Sequence, residues 1–237
     1  MTKLSVVIPT FNESSTGKFL KILEVYKKFP HVQVVVSDGG STDDTIEVAR
    51  NSNAKLVHVE TMSRAERINH GVEKADGELI LLNHPRSLLT HEGVDYLIQN
   101  AHNLNWGGFT HVFDHEHPFL KFTSWYSNEI RCKRRGILYL DHCKFARKEY
   151  MKSACPLPNV DIFEDTILSS RLKQIAGLPT LLPYKSTTSA IRFQKNGMFK
   201  QGLLNQYLKL AFYFGSDHRR MNKLYEKSSP LNAKYDD

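Results

Sequence analysis

Two apolar, largely β-branched runs, Leu4-Ser5-Val6-Val7-Ile8 and Val32 to Ser37, enclose a segment in which Phe19, Leu20, Leu23, Val25 and Tyr26 recur at roughly helical spacing. Each run stops at turn residues, Pro9-Thr10-Phe11-Asn12 after the first and Asp38-Gly39-Gly40 after the second. Runs without polar alternation are covered on both faces, so the pair reads as buried parallel strands joined by a right-handed helical crossover. The pattern then repeats. Ser41-Thr42-Asp43-Asp44 resembles a helix start with Ser41 as N-cap, and a helix to about Asn51 follows. Lys55 to His58 is a third strand, Arg64 to Ala75 a helix with Ala65, Ile68 and Val72 on one side, and Glu78 to Leu82 a fourth strand after the Asp76-Gly77 turn. This rhythm predicts an α/β fold with a mostly parallel central sheet flanked by helices, whose ligands bind beyond the carboxyl ends of the strands.

The second half is less regular. From Trp106 to Leu140 aromatic residues, histidines and basic residues crowd together, Asp161 to Ile175 reads as a helix, and Leu178 to Ser189 as turn and strand pieces. With 237 residues, 41% hydrophobic and 24% charged, the chain suits one compact domain with an appended helical segment, which excludes a disordered or collagen-like chain. The longest apolar runs, such as Ile80-Leu81-Leu82, fall far short of the roughly 18 residues that cross a bilayer. A net charge of +7 favours anionic partners: phosphates, nucleic acid or anionic lipid. Cys132, Cys143 and Cys155 are odd in number and lack CxxC spacing, and the N-terminus shows no signal-like apolar region, so a reducing, cytoplasmic setting is expected.

Thr10, Asn12, Asp38 and the segment Asn83-His84-Pro85-Arg86 all follow predicted strands and converge on one edge of the sheet, where a polar ligand belongs. Asp38-Gly39-Gly40-Ser41-Thr42-Asp43 taken alone reads equally well as a tight turn into a capped helix. Together, Ser5 to Glu13 (SVVIPTFNE), Val34 to Thr45 (VVVSDGGSTDDT), Ser63 to Gly71 (SRAERINHG) and Phe163 to Leu172 (FEDTILSSRL) resemble the family 2 glycosyltransferases, which have the GT-A fold. The segment Thr188 to Phe193 and the amphipathic stretch after it resemble a compact bacterial subgroup of that family.

The resemblance implies transfer of a sugar from a nucleotide diphosphate sugar to a hydroxyl acceptor, sugar or lipid-linked, with inversion at the anomeric carbon. It implies a nucleotide-sugar half over 1–105, an acceptor and catalytic half over 106–193 and a helical tail over 194–237. By matching positions, Pro9, Thr10, Asn12 and Glu13 line the nucleotide pocket, Asp38 accepts a hydrogen bond from the base, and Arg64, with Arg192, faces the diphosphate. Asp165, in the Glu164-Asp165 pair, matches the general base, and Asp141 matches a segment near the acceptor side. An acidic pair at the first turn of a helix is also what the helix dipole alone favours.

The chain departs from the family at one point. Members follow the fourth strand with an Asp-x-Asp, or one Asp, that holds divalent Mg or Mn; this chain has Leu82-Asn83-His84-Pro85-Arg86-Ser87. A guanidinium repels a cation but pairs bidentately with phosphate oxygens, so Arg86 supplies positive charge directly, or else the change has left a lapsed nucleotide-binding relative. His84 beside an arginine is a poor site for a hard cation, and no metal ligand set is assigned. His111, Asp114, His115, Glu116 and His117 suggest zinc by composition, and a solvated loop by position. From Phe199 to Phe214 apolar residues recur at helical spacing, flanked by Lys195, Lys200, Lys209, Arg219, Arg220 and Lys223. Such a stripe either packs on the domain or lies on anionic lipid, giving a peripheral membrane contact. The basic residues are scattered and carry no nucleic-acid-binding signature, so no nucleic-acid partner is expected.

Overall fold

The computed structural model describes residues 2–61, 63–227 and 231. The alternation read from the sequence is present: β1 Leu4–Thr10, α1 Lys18–Lys27, β2 Gln33–Asp38, α2 Thr45–Arg50, β3 Lys55–His58, α3 Arg64–Glu73 and β4 Leu79–Leu82. Then come β5 Ser87–Leu89, α4 His91–Gln99, β6 Trp106–Phe113, α5 Pro118–Trp125 and a wide-turned π-helical segment Tyr126–Arg134. The chain continues through β7 Lys144–Arg147, α6 Lys148–Ala154, α7 Glu164–Ala176, β8 Thr180–Thr188, α8 Ile191–Asn196, α9 Met198–Tyr213 and α10 His218–Glu226.

Among the described residues one eight-stranded sheet runs in the order β3-β2-β1-β4-β7-β6-β8-β5. The joins β3-β2, β2-β1, β1-β4 and β6-β8 are parallel; β4-β7, β7-β6 and β8-β5 are antiparallel. Both sheet faces carry a core, which explains the missing polar alternation. On one face Val6 and Ile8 of β1 and Leu79 and Leu81 of β4 pack with Phe19, Ile22 and Leu97 of α1 and α4. On the other, Val7, Ile80 and Leu82 pack with Ile68 and Val72 of α3 and Leu168 and Leu172 of α7. Each such buried aliphatic side chain contributes about 1.5–3 kcal/mol. Helix α3 lies so close to β1 that a Cβ at Gly71 would collide with Val7, so a bulky residue there would force the helix off the sheet.

Two helix starts differ from the sequence reading. Ser41 does not cap α2: its hydroxyl donates to Asp38 Oδ2 at 2.6 Å, and the helix begins only at Thr45, after Asp44. Helix α7 starts at Glu164, because Phe163 at φ 65° cannot continue a right-handed turn. The stripe of α9 divides between two faces: Leu204, Leu208, Ala211 and Phe212 pack around Ile162 and Met221, whereas Phe199, Leu203, Tyr207 and Phe214 are exposed. Positions 228–230 and 232–237 of the expected tail lie outside the described residues.

Candidate active site

The loops after β1 and β2 are stitched to each other. In register, Thr10 lies beside Asp38 and Pro9 beside Ser37. The fully buried Asp38 carboxylate accepts from Thr10 Oγ1 at 2.8 Å, Ser41 Oγ at 2.6 Å, and the backbone N–H groups of Gly40 and Ser41 at 3.0 and 2.8 Å. Asn12, at φ 52°, accepts from the Thr42 N–H at 2.8 Å, and its own N–H donates to Ser41 Oγ at 2.8 Å. Asn tolerates this left-handed conformation better than most residues. Asp38 thus shapes the loop from within.

Beside these loops lies a cavity of about 210 Å³, whose wall includes Arg64, His84, Arg86, Asp141, Asp165 and Arg192; Pro9, Thr10, Asn12, Glu13 and Asp38 are not on it. The site residues expected from the sequence therefore form two adjoining groups, loop and cavity. Ser63 caps α3 by accepting from the Glu66 N–H, which sets Arg64 at the first helical position, facing the cavity. Its Nε is ion-paired to Glu164 Oε1, while Glu164 is fully buried, off the cavity wall, with Oε2 unpartnered. Glu164 therefore acts on the cavity through Arg64.

The residue replacing the family's aspartate is also paired. Arg86 Nη1 lies 3.0 Å from both carboxylate oxygens of Glu13 and donates to the Leu231 carbonyl at 3.0 Å. Burial raises the Glu13 pKa, opposed by Arg86. Arg192 repeats the arrangement, donating to Glu226 at 3.1 Å and to the Tyr225 carbonyl at 2.9 Å, with its guanidinium 4.1 Å from the Tyr225 ring centroid. Burial, with Arg86 and Arg64 beyond it, holds the His84 pKa well below its ordinary value. The Arg86 N–H donates to His84 Nδ1 at 3.2 Å, so the proton of the neutral ring is on Nε2.

This donor set does not fit a divalent metal. Asn83 spends its amide on Tyr26, the His84 carbonyl and the Ser87 carbonyl, and a guanidinium stands next in line. No cluster of three or more His, Cys, Asp or Glu that could hold a metal exists among the described residues. The loop at 114–117 fits the solvated reading, with His115 and Glu116 exposed. His111 departs from it: it is buried on the cavity wall, its Nδ1 is 3.1 Å from Ser124 Oγ, and burial with Arg131 beyond lowers its pKa to about 3.

Two carboxylates complete the wall. Asp165 Oδ2 accepts from the Leu140 N–H at 3.1 Å, and the side chain is buried except toward the cavity. Asp141 is more open, at 36% side-chain exposure, and its Oδ1 is 3.8 Å from His84. Enclosure raises its pKa, against the pull of Arg64. Beneath α7, fully buried Lys144 donates to the Asp165 carbonyl at 2.7 Å and to Ser169 Oγ at 3.0 Å; burial lowers its pKa to about 8 despite Asp165 and Glu164. The sequence reading missed Lys144, Arg131, Tyr139 and Glu226. Nothing local marks Lys144 or Glu226, whose partners Asp165 and Arg192 lie 21 and 34 residues away. Lys209, expected to flank the tail stripe, instead turns into the cavity.

A Campylobacter jejuni GalNAc(5)-diNAcBac-PP-undecaprenol beta-1,3-glucosyltransferase is 28% identical over 121 residues, 48% of this chain and 38% of that relative's length. The S. aureus TarS structure, residues 1–349, in complex with UDP-GlcNAc aligns over 96% of this chain and 76% of its own at TM-score 0.65 and 20% identity. The Pyrobaculum calidifontis mannosyltransferase in complex with GDP-Man and Mn2+ aligns over 95% and 69% at TM-score 0.63 and 18% identity. Those likenesses establish the fold as GT-A-type α/β. Residues 5–150, more than half of the chain, match the family described as glycosyl transferase family 2, and the chain belongs to that family.

Proposed function

We propose that the chain is an inverting glycosyltransferase that moves a sugar from a nucleotide diphosphate sugar to a hydroxyl acceptor, with arginines in place of a divalent metal. The observation that carries this reading is that Arg64, Arg86 and Arg192 share one cavity with Asp141 and Asp165. The nucleotide would lie on the Pro9, Thr10, Asn12 and Glu13 segment, against the loop that Asp38 holds, with its diphosphate reaching the arginines. The acceptor oxygen attacks the anomeric carbon from the side opposite the diphosphate, and the Asp165 carboxylate takes its proton. The carbon–oxygen bond to phosphate breaks as the new one forms, and the electron pair leaves with the diphosphate, whose charge the guanidiniums stabilise. Asp141 is a second carboxylate on the acceptor side.

Calorimetric titration with UDP, GDP, CDP and dTDP, each with magnesium or manganese and again with EDTA, tests this. Binding of one diphosphate that persists in EDTA supports arginine in the metal's role; strictly metal-dependent binding removes it. A lapsed relative is the second reading, favoured by the glutamates already held by all three arginines; it predicts nucleotide binding with no sugar transfer.

The exposed stripe Phe199, Leu203, Tyr207 and Leu210 on α9, with Phe214 just after it and exposed Lys195 and Lys200 beside it, supports contact with an anionic membrane surface and a lipid-linked acceptor. No helix among the described residues is long and apolar enough to cross a membrane. Free Cys132, Cys143 and Cys155 fit a reducing, cytoplasmic setting. Failure to pellet with anionic vesicles at low salt would remove the membrane contact.

A further inference from the structure

Two cations on the cavity wall differ from the three arginines above. Arg131, on the segment Tyr126–Arg134, is 9% exposed, and its guanidinium lies 3.5 Å from the centroid of the Tyr139 ring. One donor, on Nη2, reaches Ser127 Oγ at 3.1 Å, while the buried Nε has no partner. From α9, Lys209 also lines this cavity, and its ammonium meets only Gln206 Oε1, at 3.2 Å. Burial, and then the charge of Arg131, lowers the Lys209 pKa to about 8. Among the described residues no carboxylate lies within 4.0 Å of either cation.

Two like charges that share one enclosed space with no carboxylate in ion-pair contact are unfavourable, and an anion between them removes the repulsion. The stack on Tyr139 fixes the plane of the guanidinium, so its unused donors are already oriented. A carboxylate carries one negative charge; a phosphate ester carries about two over three terminal oxygens at neutral pH, which matches a guanidinium edge and an ammonium arriving from different directions. The geometry points to a phosphate-binding subsite made by Arg131, stacked on Tyr139, and Lys209, which seats a phosphate carried by the acceptor beside the hydroxyl that Asp165 deprotonates. The word acceptor rests on the transferase reading above; the phosphate site rests on the side chains alone.

The test is calorimetric titration of the full chain with glycerol 3-phosphate at millimolar concentration, with UDP present at saturation, and with glycerol as the uncharged control. The expected result is binding of glycerol 3-phosphate alongside UDP, no binding of glycerol, and affinity reduced about ten-fold or more by K209M and by R131Q. Lys209 is only partly buried, so K209M keeps the test valid if R131Q fails to fold. Absence of binding while UDP binds overturns the subsite, as does displacement of glycerol 3-phosphate by UDP, which would assign both cations to the donor. Unchanged affinity in K209M overturns it too. If UDP itself fails to bind, the transferase reading falls, and the glycerol 3-phosphate titration without UDP still decides the subsite. Pelleting with phosphatidylcholine vesicles that contain phosphatidic acid, lost in K209M, would assign a lipid-borne phosphate; K209M-sensitive binding of glycerol 3-phosphate alone would assign a soluble ester.

Discussion

The cavity has two kinds of cation. Arg64, Arg86 and Arg192 each hold a buried glutamate, Glu164, Glu13 and Glu226, whereas Arg131 and Lys209 across the same space hold none. A paired guanidinium is oriented and locally neutral before any ligand arrives, so an incoming anion gains geometry and must compete with a carboxylate. An unpaired one keeps its full charge and a raised free energy, which only an anion relieves. The two sides therefore suit different work: stabilising a leaving diphosphate, and holding a group that stays put.

Asp165→Asn should have the largest effect on turnover, a loss of about 10²–10⁴ in kcat, with UDP affinity within about two-fold of the parent. Survival of kcat would remove Asp165 from the base role and leave Asp141 as the carboxylate to test. Next in size is Glu13→Gln, which strands the buried Arg86 and should cost about 3–5 kcal/mol of stability by urea unfolding. A cost near zero would show that the pair is not what makes the paired side different.

The pH dependence sharpens the other side. Free Lys209 gives up its proton near pH 8, below a solvated lysine, because it is buried and faces Arg131. His111 is already neutral there. Affinity for glycerol 3-phosphate should thus fall as pH rises above about 8, and K209M should flatten the curve. The smallest effect is expected from Glu226→Gln, which takes away the carboxylate that competes for Arg192 and should tighten UDP binding about three-fold. Weaker UDP binding in that variant would mean Glu226 supports the donor side.

The first half of the fold was the legible half. β1, β2 and β4 were readable because each strand is short, apolar and closed by its own turn residues, and α3 because Ala65, Ile68 and Val72 recur on one side. The second half was harder: β6 and β8 pair in parallel although β7 and three α-helices lie between them in the chain, and the π-helical turn at Tyr126–Arg134 follows no simple period. His111 illustrates the limit, since a histidine at the head of a polar loop is indistinguishable in sequence from one folded inward over Ser124.

By itself the sequence determined the alternation of strands and helices, the strand-end positions of Thr10, Asn12, Asp38 and Arg86, and the family to which they point, because hydrophobic period, turn chemistry and motif spacing act over a few neighbouring residues. Only the tertiary structure decided which charges cancel. Arg64 meets Glu164 across 100 residues of sequence and Arg86 meets Glu13 across 73, while Arg131 and Lys209 line the same cavity with no described carboxylate in ion-pair contact. Charge pairing depends on distance in space and on exclusion of water, and neither is written in the order of the residues.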